Sequence, residues 1–529
     1  MTDTTHITIL QTADLHGQLE THDEFYLEDG QPAYRRAGGV ARMKTLFEQV
    51  RRENPHTVIV DNGDCFQGSG WVQLTRGEAV VPAMNALDYD VLMPGNWEVV
   101  FGKERLLQIA GEYTAPMVCT NMHHADESGD PVGNDVIGNH LFAPFHVLER
   151  GGVRIGVLAY NDPALTRRQA PAYSRGIAMT RPAQSLAHWV RHLREEEGCA
   201  VVLVMGHLGM APQVALASED FAEGVDYILG GDTHERIRQP LQGRHARVTE
   251  PGAFGSFVGR LDIEVGSAGV RELNYELLDV HEDLPEDPHL RSLLDDIRAA
   301  HPELEETIGT TSSVLQRYYV LETPMDNLVT DALFAKASAA LAARGEHLDI
   351  ALSNGFRFCP PLVPEGGAAS ISRQFLWSML PENAEVKTGT VTGAQLRTWL
   401  EKELNNVFSP RADEVFGGWV VRFAGMRVRF ISRAPMGHRV QSVEIGGRPL
   451  DPDATYTVAA CEREGDPVDT LCRLRNCDDP QLLGFTLHEA VEELLARGPV
   501  NYGLEGRCVA EDLPEKVLGQ GNMEGYEFR

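Results

Sequence analysis

Residues 7–16 read Ile7-Thr8-Ile9-Leu10-Gln11-Thr12-Ala13-Asp14-Leu15-His16, a short apolar run that closes on a carboxylate and an imidazole two residues apart. Four later segments repeat this form. They are Thr57-Val58-Ile59-Val60 before Gly63-Asp64, Val91-Leu92-Met93 before Gly95-Asn96-Trp97-Glu98, Val201–Met205 before Gly206-His207, and Tyr227-Ile228-Leu229 before Gly230-Gly231-Asp232-Thr233-His234. Apolar runs this short, separated by amphipathic stretches at 39–53, 103–111 and 183–197, predict buried strands alternating with helices, hence α/β layering. In such sheets ligands gather beyond the carboxyl ends of the strands, which is where the polar groups fall.

Each residue type suits metal binding. Asp14 and His16 project a carboxylate and an imidazole to the same side of the chain. Gly63 lets the backbone pass close, and Asp64 adds a carboxylate able to bridge two ions. Asn96 offers a neutral oxygen and His207 a neutral nitrogen, and Asp232 and His234 follow a Gly-Gly pair. Any one of them is explained equally well by a turn cap or a chance histidine. All seven in this order predict a two-metal hydrolytic site, which supports in-line attack by metal-activated water on a tetrahedral oxyanion centre. Phosphorus and sulfur(VI) centres are alike to such a site.

The chain of 529 residues, 43% hydrophobic and 23% charged, is long enough for two folded domains of an ordinary soluble protein. A formal charge of −30 excludes electrostatic binding to a nucleic-acid polymer or an anionic membrane. A small anionic substrate must therefore be drawn in by local positive charge. No apolar run is long enough to span a bilayer. The N-terminus runs straight into the first strand without a basic or apolar leader region, so the expected location is cytoplasmic as given, or periplasmic if a leader has been removed. Eight scattered cysteines without paired metal-type spacing are read as reduced, mostly buried thiols. The charged stretch 279–298 reads as a solvated helix or linker. Beyond it 323–342 and 393–407 are predicted helical, 349–353, 385–392, 418–432, 440–445 and 455–460 extended, and the tail from Gly503 loosely wrapped.

On the five segments together the chain resembles the calcineurin-like metallophosphoesterases, within the branch of bacterial 5′-nucleotidases. The resemblance implies an α/β fold: a four-layer sandwich of two mixed β-sheets flanked by helices over residues 1–278, a linker helix at 279–306, and a smaller α/β 5′-nucleotidase-type substrate-binding domain at 307–529. It also implies two divalent ions. Asp14, His16, Asp64 and His234 would bind one, and Asp64, Asn96, His207 and Asp232 the other, with Asp64 bridging. Asp232 departs from the family, which has histidine there. A carboxylate is the harder ligand and favours manganese over zinc.

The second departure is Trp97. The nucleotidases read Asn-His-Glu-Phe-Asp here, with the His–Asp pair assisting the leaving group, whereas this chain has Trp97 and Val100. Gly-Asn-Trp-Glu resembles instead the SoxB-type sulfate thiol esterases, whose substrate is a sulfonate joined through sulfur to a carrier-protein cysteine. A sulfur leaving group needs no general acid. Asn96, Trp97 and Arg357 are accordingly the expected catalytic residues, Trp97 through its indole N–H or as an apolar wall. Asn354-Gly355-Phe356-Arg357 keeps an arginine suited to clamping an anion. The loop Ala460–Asp466 has no second aromatic for stacking a base. Asn406–Pro410 and Gly417–Arg422 resemble SoxB-type stretches. Phe356, Arg357, Trp419 and Arg422 are expected to contact substrate, with a structural ion pair at the surface as the equal alternative for Arg422. The competing readings are a 5′-nucleotidase or other phosphoesterase, an inactive phosphatase, and a metal-stabilised binding protein.

Overall fold

The computed structural model describes residues 4–353, 359–411, 414–415 and 418–519. Chain contacts divide them into two compact units, residues up to 24 with 35–301, and residues 25–34 with those from 302 onward.

The first unit is built on two mixed sheets. One runs, in spatial order, Gly269–Asp279, Phe257–Gly266, Thr5–Thr12, Thr57–Asp61 and Val91–Leu92. The other runs Leu241–Gln242, Arg247–Thr249, Tyr227–Leu229, Val201–His207, Val153–Asn161 and Phe145–Arg150. The central strands of each are parallel, as in Thr12 paired with Asp61 and His207 with Asn161. Their apolar runs meet in one buried core that includes Ile7, Ile9, Val58, Val60, Val157 and Leu203. Parallel strands buried on both faces read as continuous apolar runs, which is why they were legible.

Helix Val40–Glu53 buries Met43, Leu46, Phe47 and Val50, and helix Pro288–Ala300 packs against it. That second helix lies within the stretch read as a linker helix. Asp287 caps it through the His289 and Leu290 amides, Leu290 and Leu294 are buried, and it belongs to the first unit, whose boundary falls at 301 rather than 278. The stretch 183–197 is a helix, Leu186–Arg191, continued by a π-helical turn over His192–Glu196.

The second unit holds a five-stranded sheet in the order Arg422–Ala424, Ile350–Ser353, Thr455–Cys461, Glu385–Thr392 and Asp478–Thr486. Helices Pro324–Ala342, Gly393–Phe408 and Leu487–Leu495 accompany it; the last two start with capping boxes at Thr392/Gln395 and Thr486/Glu489. The tip of the hairpin Thr21–Glu28/Gln31–Gly38 belongs to this unit, with Phe25 stacked on Tyr318 at 4.7 Å. The tail is less loose than expected, because Cys508–Ala510 pairs in parallel with Met426–Phe430. Among the described residues no helix is long and apolar enough to cross a membrane. All eight cysteines are free thiols.

Candidate metal centre

The five segments converge at the carboxyl ends of the parallel strands of the first unit. Asp14 and His16 follow Thr5–Thr12, Asp64 follows Thr57–Asp61, Asn96 follows Val91–Leu92, His207 closes Val201–His207, and Asp232 and His234 follow Tyr227–Leu229. The loops are tied by backbone bonds from Asp14 N to Gly63 O at 2.9 Å and from His16 N to Asp64 O at 2.8 Å. They also require glycine. A Cβ on Gly63 would sit 2.2 Å from Gly95 N, and one on Gly95 would sit 2.2 Å from Asp64 Oδ1.

Five of the seven expected ligands hold left-handed backbone: Asp14, His16, Asp64, Asp232 and His234 have φ of 55°, 49°, 57°, 83° and 60°. Each costs conformational energy in a non-glycine residue, and clustering of such residues marks a functional site.

Two groups form. Asp14, His16 and His234 bring one donor atom each to within 4.8 Å of one another, and so do Asp14, Asp64 and His207. Asp64 Oδ2 lies 3.1 Å from His207 Nε2 and 3.8 Å from His16 Nε2, so this carboxylate stands between the two groups. Asp14 Oδ1 is likewise 3.4 Å from His234 Nε2 and 4.0 Å from the Nε2 atoms of both His16 and His207. Asp232 Oδ1 lies 3.8 Å from His207 Nε2 and accepts from Asn96 Nδ2 at 2.5 Å. Trp97 is half-buried, and its backbone N–H donates to Asp64 Oδ1 at 2.8 Å. Val100 is buried, so the expected place of a His–Asp pair holds an indole and an isopropyl group.

The donor set fits divalent cations. His207 Nδ1 lies 2.8 Å from Asn62 O, and His16 Nδ1 lies 3.0 Å from Gln67 O. Each contact places a ring proton on Nδ1 and leaves Nε2 as the nitrogen turned into the site, where a cation can take the place of a proton, the usual support of a metal-binding histidine. His207 Nε2 is fully buried and, although 3.1 Å from Asp64 Oδ2, makes no hydrogen bond of acceptable geometry. Charge points the same way. Burial pushes the Asp14 carboxyl well above its ordinary range, with Asp64, Glu250 and Asp232 adding to the rise although His207 opposes it. Burial likewise lifts Asp232 to about 6 against the pull of His207. At Asp64 burial acts upward too, but His207, His16 and the Trp97 amide together outweigh it and the carboxyl falls below its usual value. Three carboxylates crowded into one buried cluster need positive charge beyond one imidazolium.

Two supporting residues escaped sequence reasoning. Glu98 is buried, and its carboxylate accepts from the amides of Gly95, Asp64, Cys65 and Phe66 at 2.6, 3.0, 2.7 and 3.2 Å, fastening two ligand loops together. Burial and the neighbouring Asp64 push it up to about 8. The signal was its place in the Gly-Asn-Trp-Glu segment. Glu250, buried beneath the last loop, accepts from Thr233 Oγ1 at 3.0 Å, Glu235 N at 2.8 Å and Gln213 Nε2 at 3.1 Å. No local pattern announces it.

Of the expected substrate contacts, Phe356 and Arg357 lie outside the described residues. Trp419 is half-buried in the second unit. Arg422 follows its structural alternative, as a buried group and not as a surface ion pair. It is 5% exposed, its Nη1 and Nη2 donate to Val320 O and Tyr319 O at 3.0 and 2.9 Å, and its Nε lies 3.0 Å from Asp326 Oδ2. Its apolar neighbours Val320, Val421 and Phe423 draw it into the core, where it holds the start of helix Pro324–Ala342 rather than a ligand.

Comparison with known proteins agrees with this architecture. The calcineurin-like phosphoesterase model matches residues 7–236, and the 5′-nucleotidase C-terminal domain model matches 306–462. The trifunctional nucleotide phosphoesterase YfkN of Bacillus subtilis is 24% identical over 96% of this chain, which spans only 35% of that longer protein. The 5′-nucleotidase of Bos taurus is 26% identical over 83% of this chain and 78% of its own length. Among solved structures, the sulfate thiohydrolase SoxB of Thermus thermophilus in complex with glycerol superposes with a TM-score of 0.83 at 24% identity, covering 97% of this chain and 98% of its own. A 5′-nucleotidase precursor from the same species gives 0.80 at 24% identity, covering 96% and 100%. Both share the fold.

Proposed function

Because this chain is a metal-dependent hydrolase built from a calcineurin-like phosphoesterase domain and a 5′-nucleotidase C-terminal domain, we propose that it releases sulfate from a sulfur-linked sulfonate carried on a small thiol or a carrier-protein cysteine. The observation that carries this reading is Trp97 with Val100 beside an otherwise assembled donor set. Two divalent ions, manganese by preference for so oxygen-rich a site, would activate water and neutralise the substrate oxygens when bound.

The protein's own groups do the rest. Asp14, His16 and His234 would hold one ion and Asp64, Asn96, His207 and Asp232 the other, with Asp64 common to both. Glu98 and the paired glycines Gly63 and Gly95 keep the ligand loops in register. The Trp97 amide fixes Asp64 Oδ1, and an indole at this position supplies no proton at physiological pH, whether its N–H meets a substrate oxygen or its ring forms an apolar wall. A phosphate ester expels an alkoxide and gains from a general acid; a sulfur leaving group departs as an anion without one.

The second reading is a nucleotide phosphoesterase, favoured by curated relatives such as the Bos taurus 5′-nucleotidase. One comparison separates the two: manganese-loaded protein assayed for sulfate from cysteine S-sulfonate and for phosphate from AMP and an aryl phosphate. Sulfate release well above phosphate release is expected. Strong phosphate release without sulfate would sink the first reading in favour of the second.

A further inference from the structure

The loop that carries Asn96 is gripped from a second direction by the chain following strand Val153–Asn161. Asn161 Nδ2 donates to Pro94 O at 2.9 Å. Asp162 then fixes the short helix Leu165–Arg168, accepting from Ala164 N at 2.8 Å and pairing with Arg168 Nη1 at 2.9 Å. The helix ends on Gln169, which is buried, and whose Nε2 donates to the backbone oxygen of Asn96 at 3.1 Å and to its Oδ1 at 2.8 Å.

These two bonds settle an orientation that an amide alone leaves open. A backbone oxygen can only accept, so the Gln169 group facing it is the NH2. That same NH2 reaches the Asn96 side chain, whose facing atom is therefore the oxygen. The Asn96 NH2 is thereby turned toward Asp232 Oδ1, 2.5 Å away. The arrangement suits this chain in particular, because Asp232 is a carboxylate, and a carboxylate needs a donor that an imidazole in its place would not. Oδ1 has two lone pairs, and the bond from Gln169 leaves one for a cation.

We propose that Gln169 is a positioning residue for the second cation, holding the Asn96 amide so that Asn96 and Asp232 act as one bonded pair within the set completed by Asp64 and His207. The inference rests on the two-cation reading given above. It is tested by calorimetric titration of metal-free protein with manganese, using wild type, Gln169→Glu and Gln169→Ala. The glutamate is isosteric and keeps the packing while turning a donor into an acceptor, so it serves if the alanine variant fails to fold. Wild type should bind two ions. Both variants should keep one binding event and lose about 10–100-fold in affinity at the other, the loss typical of residues that orient metal ligands. Two undisturbed events in Gln169→Glu, or equal weakening of both, would overturn the assignment. Fewer than two ions in wild type would remove the two-cation reading and this inference with it, a result recognisable before any variant is compared.

Discussion

The Nε2 atoms of His16 and His234 face each other at 3.1 Å, with Asp14 Oδ1 3.4 Å from the second. The contact from His16 Nδ1 to Gln67 O leaves the His16 Nε2 lone pair to accept from His234 Nε2, and a cation taken up between the rings would replace that one proton. Removing divalent metal should therefore lower the thermal midpoint, and manganese should restore it. A ligand held only by the folded state adds about 2.7 kcal/mol at a hundredfold excess over its Kd. Scanning calorimetry with chelator and with manganese checks this; superimposable transitions would show that the cluster is stable without ions.

Restoring the absent pair should change which leaving group the site tolerates. Trp97→His with Val100→Asp places an imidazole at half-buried position 97 and a carboxylate where Val100 is buried, while the backbone N–H that holds Asp64 is untouched. A general acid contributes about 10²–10⁴-fold, and aryl phosphate kcat/KM should rise within that range. Trp97→His alone should gain less, because the ring has no partner to orient it. No gain in the double variant would mean that another group already supplies the proton.

The convergence of the seven candidate residues was legible because each sits at a sequence-local junction, an apolar strand followed by a glycine-assisted turn, and strand order then brings the junctions together. Glu250 and Gln169 were not, since their roles exist only after loops far apart in the chain have met. Arg422 stayed open between two roles for a related reason. Its neighbours Val420, Val421 and Phe423 already announced a buried strand, and the partner that permits an arginine there, Asp326, lies almost a hundred residues earlier. In the stretch read as a linker helix, the docking side was hard to see because the charges outnumber the two buried leucines, Leu290 and Leu294.

Arg422→Met should cost stability and spare substrate affinity. Asp326 Oδ2 loses its guanidinium partner but keeps Thr323 Oγ1 at 2.7 Å, and Arg317 Nε still lies 2.9 Å from Oδ1. Breaking a buried pair typically costs about 3–5 kcal/mol, and these remaining bonds put the expected loss near the lower end. Urea unfolding measures it. An unchanged midpoint with a raised KM would return Arg422 to the substrate site.

The second unit should also weaken in mild acid through one residue. His488 is 6% exposed, lies 2.7 Å through Nε2 from Leu380 O, and packs edge-on against Trp377. Burial lowers its pKa to about 4, outweighing that backbone contact. Between about 6.5 and 4 the unfolded chain therefore binds the proton and the folded protein does not. Stability from this group is complete above the upper value and falls as pH drops through the window, by about 3 kcal/mol in all. The window is distinct from that of Glu24, where Arg236 and His22 prevail over burial and hold the carboxyl at about 2, so that its contribution fades only below the ordinary glutamate value. His488→Gln keeps a side-chain N–H for Leu380 and removes the titration. Chemical denaturation from pH 7 to 4 should show a flatter stability profile in the variant, and parallel profiles would show that the imidazole is protonated without cost where it stands.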